Sequence, residues 1–378
     1  MGPLDGLRII EVAGRGPGPF AGMLLADMGA DVIRVDRPDG ALRPEVPDQR
    51  LELVGRGRRS VVVDLKNPSG AEVVLRLVER ADAIYEGYRP GVAERLGIGP
   101  EACLARNPRL VYGRATGWGQ DGPLARAAGH DINYIALAGA LEPIGREGAP
   151  PSIPLNLVGD YAGGGMLLAF GLLCAVLEAG RSGRGQVVDA AMVDGASLLM
   201  TMFHGRRLNG TWRDVRGTNY IDGGAPFYEV YETKDGRYVS VGGIEPKFHR
   251  ELFARMGVTD VPAPVRREDW PALKVRLAEV FRTRTRQEWT DLLEGTDACF
   301  APVLGLGEVA DHPHHRARGS FVEVDGVRQP APAPRFSRTA PCVSAPPPVP
   351  GEHTSDVLAE CGFGPDELER LRESGAVA

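Results

Sequence analysis

The feature that most restricts the fold is a series of short runs, apolar from end to end, that alternate with helix-like stretches over the first 115 residues. Strands without polar positions are buried on both faces, and the helices between them supply the cover. This pattern predicts an α/β fold with a Rossmann-like parallel sheet. The predicted strands are residues 7–12, 31–36, 60–65, 82–87 and 109–117, and the predicted helices between them are residues 20–29 and 70–81.

The second half of the chain has a different pattern. Residues 227–244 form two alternating runs around Lys234-Asp235-Gly236, which is a strong signal for a hairpin. The helices that we predict from periodicity lie at about 161–180, within 185–203, and at about 246–256, 270–282 and 286–294. The hairpin and the last three helices together indicate a smaller α+β unit.

These patterns predict four parts of the chain. Residues 1–203 form a large Rossmann-like domain, the polar, glycine-rich residues 204–225 a linker, and residues 226–320 a small α+β domain. Residues 321–378 contain the segment QPAPAPRFSRTAPCVSAPPPVPGEH, which is too rich in proline for regular structure. We expect this return segment to run extended over the surface and to end in a helix at 364–373 that packs on the large domain.

Composition limits the class of protein. A hydrophobic fraction of 43% and a charged fraction of 25% are typical of soluble globular proteins, and a formal charge of -6 argues against binding nucleic acid. Five widely separated cysteines indicate reduced thiols. The sequence opens without a signal-peptide pattern, and its most apolar stretch, residues 166–179, is too short to span a bilayer. We expect a soluble, cytoplasmic protein that does not enter a membrane.

The loop at residues 13–22 nearly matches a dinucleotide-binding fingerprint, and Asp36 ends the second predicted strand, where such enzymes bind the ribose. However, Pro17 and Pro19 have no backbone N–H to donate to a pyrophosphate. Arg37 would also occupy the place where the ribose diol is bound. We therefore favour a tight strand-to-helix turn over a nicotinamide site, and we predict no cofactor.

Three arginines lie where predicted strands end. Arg89 and Arg95 join one strand end to a short helix, and Arg37 follows a neighbouring strand. Ligands of open α/β sheets bind at this edge of the sheet. The arginines therefore either clamp a phosphate together or are three solvated side chains.

Asp160 precedes Gly163, Gly164 and Gly165 at the start of a predicted helix. An aspartate at this place is a common helix cap. Three glycines also remove side chains from the first turn, so that another molecule can approach its N–H groups. In the functional interpretation Asp160 is a base or a nucleophile, and the N–H donors stabilise an oxyanion.

His130 and Asp131 interrupt a segment of small and apolar residues. A lone histidine is usually structural, and Asp131 is able to cap a helix that starts at Ile132. Glu245 lies at the exit of the predicted hairpin, where an N-cap role is the simple explanation. As a partner of His130 it would instead hold the imidazole tautomer and raise its basicity.

The histidine-rich residues 311–316 (DHPHHR) suggest a metal site. No second group of ligands appears at the spacing of zinc sites, and the segment is predicted to be a loop. We expect no metal.

Long motifs carry a resemblance that covers almost the whole chain. The sequence resembles the family III CoA-transferases, and within them the α-methylacyl-CoA racemases. GHDINY together with GGIEP points to the racemase branch. The matching motifs are GPLDGLRIIEVAGRGPGPFAGMLLADMGADVIRVDRP, EGYRPGVAERLG, RATGWGQDGP, AGHDINYIALAG, PLNLVGDYAGG, GQVVDAAMVDG, GGAPFYEVYETKDGRYVSVGGIEPKF and PAPRFSRT.

The resemblance implies that His130, paired with Glu245, and Asp160 are the two catalytic bases. It also implies an interlocked homodimer in which the small domain of one chain completes the site of the other. The residues it implies as contacts of the acyl-CoA thioester are Arg37, Val63, Asp64, Leu65, Lys66, Gly87, Tyr88, Arg89, Pro90, Gly91, Val92, Arg95, Gly129, Asp131, Ile132, Asn133 and Tyr134.

The expected reaction is racemisation of 2-methylacyl-CoA thioesters through an enolate. One alternative is transfer of CoA between carboxylic acids, with Asp160 as nucleophile. A second alternative is an acyl-CoA-binding protein without catalysis. The sequence does not indicate which acyl chain is preferred.

Overall fold

The computed structural model describes residues 2–38 and 48–378. The chain forms two compact units. The first unit comprises Met1–Ala138, Leu155–Leu199 and Ala317–Ala378, and the second comprises Gly139–Pro154 and Met200–Arg316. Residues 139–154 thus belong to the second unit although they lie inside the predicted large domain.

The strands are β1 (Arg8–Val12), β2 (Asp31–Asp36), β3 (Arg59–Val62), β4 (Ala83–Glu86), β5 (Val111–Thr116), β6 (Val187–Ala191), β7 (Tyr228–Glu232), β8 (Tyr238–Gly242), β9 (Phe300–Pro302), β10 (Phe321–Val324) and β11 (Val327–Pro330). The first unit contains a parallel sheet with the order β3-β2-β1-β4-β5-β6. The predicted Rossmann-like parallel sheet is confirmed. Its strand order reverses between β1 and β4, which leaves a crevice at their carboxyl ends.

The α-helices are α1 (Pro17–Asp27), α2 (Pro68–Val78), α3 (Val92–Arg95), α4 (Pro100–Arg106), α5 (Asp131–Leu137), α6 (Leu167–Ser182), α7 (Met192–Leu199), α8 (Thr201–Leu208), α9 (Pro246–Met256), α10 (Trp270–Phe281), α11 (Arg286–Leu293), α12 (Leu306–Val309), α13 (Pro313–Arg318), α14 (Thr354–Glu360) and α15 (Pro365–Glu373). A π-helical segment, Leu157–Met166, leads directly into α6. Short 3₁₀ turns lie at Gln49–Leu51, Leu53–Gly55 and Arg267–Asp269.

Both faces of the parallel sheet are covered, as its apolar strands predict. On one face, Ile10 and Ile33 pack with α2 and with Val357 and Leu358 of α14. On the other, α1 and α6 cover Ile9 and neighbouring strand residues. Burial of apolar area on both sides of the sheet is the main stabilising contribution to this unit.

Two predictions about regular structure in the first unit are incomplete. The helix predicted within residues 185–203 is present as α7, but residues 187–191 pair with β5 as the edge strand β6, which was not predicted. The proline-rich return segment also has more structure than predicted. It includes the hairpin β10–β11, which ends at Pro330, and helix α14.

The predicted linker, residues 204–225, begins inside a helix. Helix α8 continues to Leu208, and the residues that follow fold into turns held by side chains. Asp222 accepts hydrogen bonds from the backbone N–H groups of Gly217 and Asn219. This segment therefore has local structure of its own within the second unit.

The helical segment Leu157–Ser182 is longer than the sequence suggested. Within the described residues it is the one helix of sufficient length and apolarity to cross a bilayer, at 26 residues, so the prediction of a stretch that is too short is wrong. Core helices of globular proteins meet the same criteria. Leu168, Leu172 and Ala175 are buried against the parallel sheet, which gives this segment a place in the core.

The start of this segment packs against α7 at backbone distance. A Cβ atom added to Gly195 would lie 1.8 Å from the backbone oxygen of Gly163, and one added to Gly163 would lie 2.8 Å from the backbone nitrogen of Ala196. No side chain fits between the two helices at this point. The glycines therefore fix how closely α7 approaches the turn that contains Asp160.

The second unit contains the antiparallel sheet β7-β8-β9. Its hairpin and its three long helices, α9, α10 and α11, lie where the sequence predicts them. Val239 and Val241 pack with Leu277 and Phe281 of α10 and with Trp289 of α11. This packing gives the unit an apolar core of its own.

We expect Gly195→Ala to lower the free energy of unfolding by about 3 kcal/mol or more, because its methyl group would overlap backbone that cannot move aside cheaply. Gly180→Ala is the matched control, since Gly180 lies in α6 with no atom within 4 Å of an added Cβ. That change should be neutral or stabilising by about 0.5–1 kcal/mol. Denaturant unfolding measures both variants, and equal effects would contradict the close-packing argument.

Candidate active site

A cavity of about 490 Å³ lies in the first unit at the carboxyl ends of the parallel strands. It is bordered by residues that follow β1, β4 and β5, which is the crevice expected where the strand order reverses. His130 and Asp160 both line it. Other residues that line this cavity are Arg15, Gly16, Gly87, Tyr88, Arg89, Pro90, Trp118, Ala125, Ala127, Ala128, Gly129, Tyr134 and Met192.

A second cavity, of about 360 Å³, contains most of the remaining residues expected to contact the acyl-CoA. Tyr88 lines both cavities. Predicted contact residues that line the second one are Arg37, Val63, Asp64, Leu65, Lys66, Tyr88 and Val92. The structure thus places the predicted contacts in two neighbouring groups that share one tyrosine.

Six of the predicted site residues line neither cavity. These are Gly91, Arg95, Asp131, Ile132, Asn133 and Glu245. Asp131 is buried, and Arg95 is exposed at the end of α3. The functional roles that the resemblance implies for these six residues stay predictions.

His130 is the N-cap residue of α5. Its backbone N–H donates to the side-chain oxygen of Asn133 at 3.0 Å, and its carbonyl accepts from the Asn133 N–H at 2.8 Å. This reciprocal arrangement satisfies two groups that a helix start would otherwise leave unpaired. Asn133 thus fixes the backbone that carries the imidazole.

Asp160 lies inside the first turns of the π-helical segment, whose N-cap is Asn156. The Asn156 side chain donates to the Asp160 carboxylate at 3.1 Å. Gly16 approaches the same carboxylate so closely that an added Cβ would lie 3.2 Å from it. The loop that resembles a dinucleotide fingerprint therefore lies beside the Asp160 carboxylate.

The prediction that the N–H groups of Gly163, Gly164 and Gly165 stabilise an oxyanion is wrong. All three glycines are buried, and their missing side chains make room for protein. A Cβ on Gly164 would lie 2.8 Å from atoms of Met192 and Pro17, and one on Gly165 would lie 2.8 Å from the Pro17 carbonyl. These glycines permit helix packing and do not open the turn to a ligand.

Glu245 is the N-cap residue of α9 in the second unit. Its backbone carbonyl accepts from the N–H groups of Phe248 and His249. Burial and the nearby carboxylates of Glu245 and Asp297 raise the pKa of the Cys299 thiol. The first unit by itself presents His130 and Asp160 without this glutamate.

Burial dominates the electrostatics around the first cavity. It raises the pKa of Tyr134, with Asp160 adding to the shift and Arg89 opposing it. The Tyr134 hydroxyl donates to the Gly129 carbonyl, and its ring meets that of Trp118 edge to face. Gly129, the residue before His130, is thereby held by two aromatic side chains.

Known proteins resemble this chain over nearly its full length. The model of CoA-transferase family III matches residues 4–354. The chain belongs to CoA-transferase family III. It is 44% identical to the alpha-methylacyl-CoA racemase of Homo sapiens over 97% of this chain and 96% of that protein. It is also 44% identical to the alpha-methylacyl-CoA racemase of Mus musculus, over 99% and 97%.

A solved structure of a CaiB/BaiF family protein from Brucella suis has the same fold, with a TM-score of 0.83. The two chains are 26% identical, and the match covers 95% of this chain and 99% of the other. The resemblance to family III CoA-transferases that the sequence motifs carry is therefore confirmed over nearly the full length.

One notable group in this family III chain escaped sequence reasoning. Glu86 ends β4 and is only 2% exposed, and its carboxylate accepts the Tyr88 N–H at 2.5 Å. Burial raises the pKa of Glu86 to about 7, although the Tyr88 N–H and Arg114 lower it. Its position as the last residue of a buried strand, just before the Gly87–Val92 motif, was the available signal. Glu86 shapes the loop that presents Tyr88 to both cavities.

The raised pKa of Glu86 predicts a pH dependence of stability. Between about pH 4.5 and pH 7 the folded chain keeps a proton that the unfolded chain has lost, so the free energy of unfolding falls as the pH rises. We expect Glu86→Gln to remove this loss, which amounts to at most ~3 kcal/mol. Urea unfolding from pH 4.5 to pH 8 measures it, with the exposed Glu101→Gln as control. Curves for wild type and Glu86→Gln that stay parallel would refute the prediction.

Proposed function

We propose that the protein is an α-methylacyl-CoA racemase that interconverts (R)- and (S)-2-methylacyl-CoA thioesters. The observation that carries the proposal is that His130 and Asp160, two acid–base groups of different kind, line one cavity at the switch point of the sheet. The two racemases at 44% identity over nearly the full chain support the same assignment.

Inversion at the α-carbon of a thioester requires two positioned acid–base groups, one on each face of the carbon. A neutral imidazole at His130 removes the proton of one enantiomer, while a protonated Asp160 delivers a proton to the opposite face. The other enantiomer uses the same groups in reverse. The chemistry needs no metal, flavin or nicotinamide, and we propose that the enzyme works without a cofactor.

The enolate oxygen formed between the bases needs hydrogen-bond donors. The buried glycines of the π-helical segment do not supply them. Helix α5 begins directly after His130, and the first N–H groups of a helix have no partner within it. We propose that the N–H groups at this helix start, beside the imidazole, stabilise the enolate.

The second cavity suits the CoA part of the substrate. Arg37 and Lys66 provide positive charge, while Val63, Leu65 and Val92 provide apolar surface. This combination matches a ligand that joins phosphates to an aromatic base. Tyr88, which borders both cavities, then lies between the nucleotide end and the thioester end of the substrate.

We further propose an interlocked homodimer, in which Glu245 of one chain orients His130 of the other. An apolar stripe on the first unit supports a partner surface. Met166, Phe170 and Leu177 are 54%, 65% and 69% exposed along one side of one helical segment. Large apolar side chains that are exposed together on one side of a helix are characteristic of protein interfaces. We propose a cytoplasmic location for the dimer.

We expect Phe170→Lys to weaken the dimer by at least ~10-fold in dissociation constant, because a charge would be buried in an apolar interface. Mass photometry across a dilution series measures the change. Val275→Lys is the control, since Val275 is 62% exposed on α10 in the second unit. A wild-type protein that is monomeric at micromolar concentration would refute the dimer.

CoA transfer between carboxylic acids remains the second candidate, supported by the family alone. In that reaction Asp160 attacks the thioester as nucleophile, expels the CoA thiolate and forms a mixed anhydride. The thiolate then attacks the Asp160 carbonyl, which gives an enzyme thioester and releases the donor acid. The placement of His130 in the same cavity favours racemisation, because a transferase that uses the carboxylate as nucleophile has no need of a second base on the α-carbon.

The two reactions separate in D2O. Incubating a single-enantiomer 2-methylacyl-CoA without an acceptor acid should produce both enantiomers, each labelled at the α-carbon, as chiral chromatography and mass spectrometry will show. Quantitative CoA exchange with an added acid and no α-deuterium would instead establish the transferase. If the protein binds the thioester but shows neither deuterium uptake nor CoA exchange, it is an acyl-CoA-binding protein without catalysis.

His130→Ala and Asp160→Ala should each lower the rate of inversion by about 100-fold or more, because each removes one acid–base group. Affinity for CoA itself should change little, since neither side chain lines the second cavity. His314→Ala, at an exposed histidine, is the matched control. Wild-type inversion rates in either site variant would disprove the assignment of the bases.

A further inference from the structure

Asp131 connects the two candidate bases. It follows His130 directly in the chain, and its side chain reaches the π-helical segment instead of its own helix. The carboxylate oxygen Oδ2 accepts hydrogen bonds from the backbone N–H groups of Gly159 and Asp160, both at 2.7 Å. One residue is therefore covalently bound to the first base and hydrogen-bonded to the backbone of the second.

The surroundings of Asp131 are built for this contact. The residue is 7% exposed, and a Cβ added to Gly159 would lie 2.6 Å from its Oδ2 atom. Its other oxygen, Oδ1, is buried without a hydrogen-bond partner among the described residues. Burying a carboxylate is costly, and an exposed serine or asparagine satisfies a helix start at lower cost. Position 131 thus carries a carboxylate that is costly to bury, and this carboxylate binds residues 28 and 29 positions further along the chain.

We propose that Asp131 is a positioning residue that sets the separation of His130 and Asp160. This inference rests on the proposed racemase function. Two bases that serve opposite faces of one planar carbanion must keep a fixed spacing, and a shift of about 1 Å at a reacting group costs up to about 100-fold in rate. Two short charge-assisted hydrogen bonds to the backbone hold the Asp160 turn more firmly than side-chain contacts do. The resemblance implies a contact of Asp131 with the acyl-CoA, and the positioning role of its carboxylate is additional to that prediction.

Inversion and deuterium uptake respond differently if this inference is correct. In Asp131→Ala the Asp160 turn loses its anchor while His130 keeps its own cap from Asn133. Inversion should fall roughly 100-fold, whereas α-deuteration of the enantiomer deprotonated by His130 should fall no more than about 5-fold. That enantiomer is identified as the one that still takes up deuterium in Asp160→Ala. KM should change less than about 3-fold, since Asp131 lines neither cavity.

The conservative variant provides a rescue test. Asp131→Asn keeps an acceptor oxygen for Gly159 and Asp160 and should recover at least about 10-fold of the inversion lost in Asp131→Ala. Asp82→Asn is the control, because Asp82 also accepts a backbone N–H, from Arg8 at 2.9 Å, at the opposite end of the strands. It should leave both rates unchanged. Equal losses of inversion and of deuterium uptake in both Asp131 variants would overturn the inference and leave Asp131 a folding residue.

Hydrogen-exchange mass spectrometry separates this inference from the proposed function. Peptides that contain Gly159 and Asp160 should exchange at least about 10-fold faster in Asp131→Ala than in wild type, because both amides lose their acceptor. Unchanged exchange there would overturn the positioning role whatever the activity. If wild type neither inverts nor deuterates the thioester, the racemase proposal fails, while faster exchange in the variant would still show that Asp131 anchors the Asp160 turn.

Discussion

The reversal of strand order between β1 and β4 is the constraint on which the rest of the site depends. Parallel strands end at the same edge, and helices that leave adjacent strands in opposite directions cannot fill the space between them. The loops after β1, β4 and β5 therefore meet around an opening instead of a packed core. His130 and Asp160 both enter that opening from helix starts, where backbone polar groups are already oriented.

Close backbone packing then fixes the position of Asp160 at this opening. The Asp160 turn is pressed against α7 through Gly163 and Gly195 and against α1 through Gly165. Its N–H groups at positions 159 and 160 are taken by Asp131. Asp160 thus lies on backbone that is fixed on several sides, which suits a group that must receive and return a proton at one defined place. A carboxylate on a mobile loop would lack this precision.

Sequence patterns predicted the parallel sheet, the hairpin and the long helices, because each follows from periodicity within one segment. They missed strand β6, since residues 187–191 contain an aspartate and are partly exposed at the edge of the sheet. They also assigned Gly163–Gly165 to ligand binding, because a glycine that faces a ligand and one that faces another helix look alike in a sequence. The burial of Glu86 and the role of Asp131 depend on contacts across 20 residues or more, which local patterns do not contain. His130 and Asp160 were proposed from residue type and neighbouring glycines, and the structure places both in one cavity.

The distribution of small side chains around the cavity has a consequence for redesign of the enzyme. Gly163 and Gly195 cannot carry a larger group, because backbone atoms already occupy the space, and Gly16 has a φ of +69°, which strains any other residue. Ala125, Ala127 and Ala128 also border the cavity, but they lie in a loop that is largely open to solvent. Efforts to alter which acyl chains are accepted should therefore vary these three alanines, where volume can be added or reshaped while the scaffold that holds His130 and Asp160 stays intact.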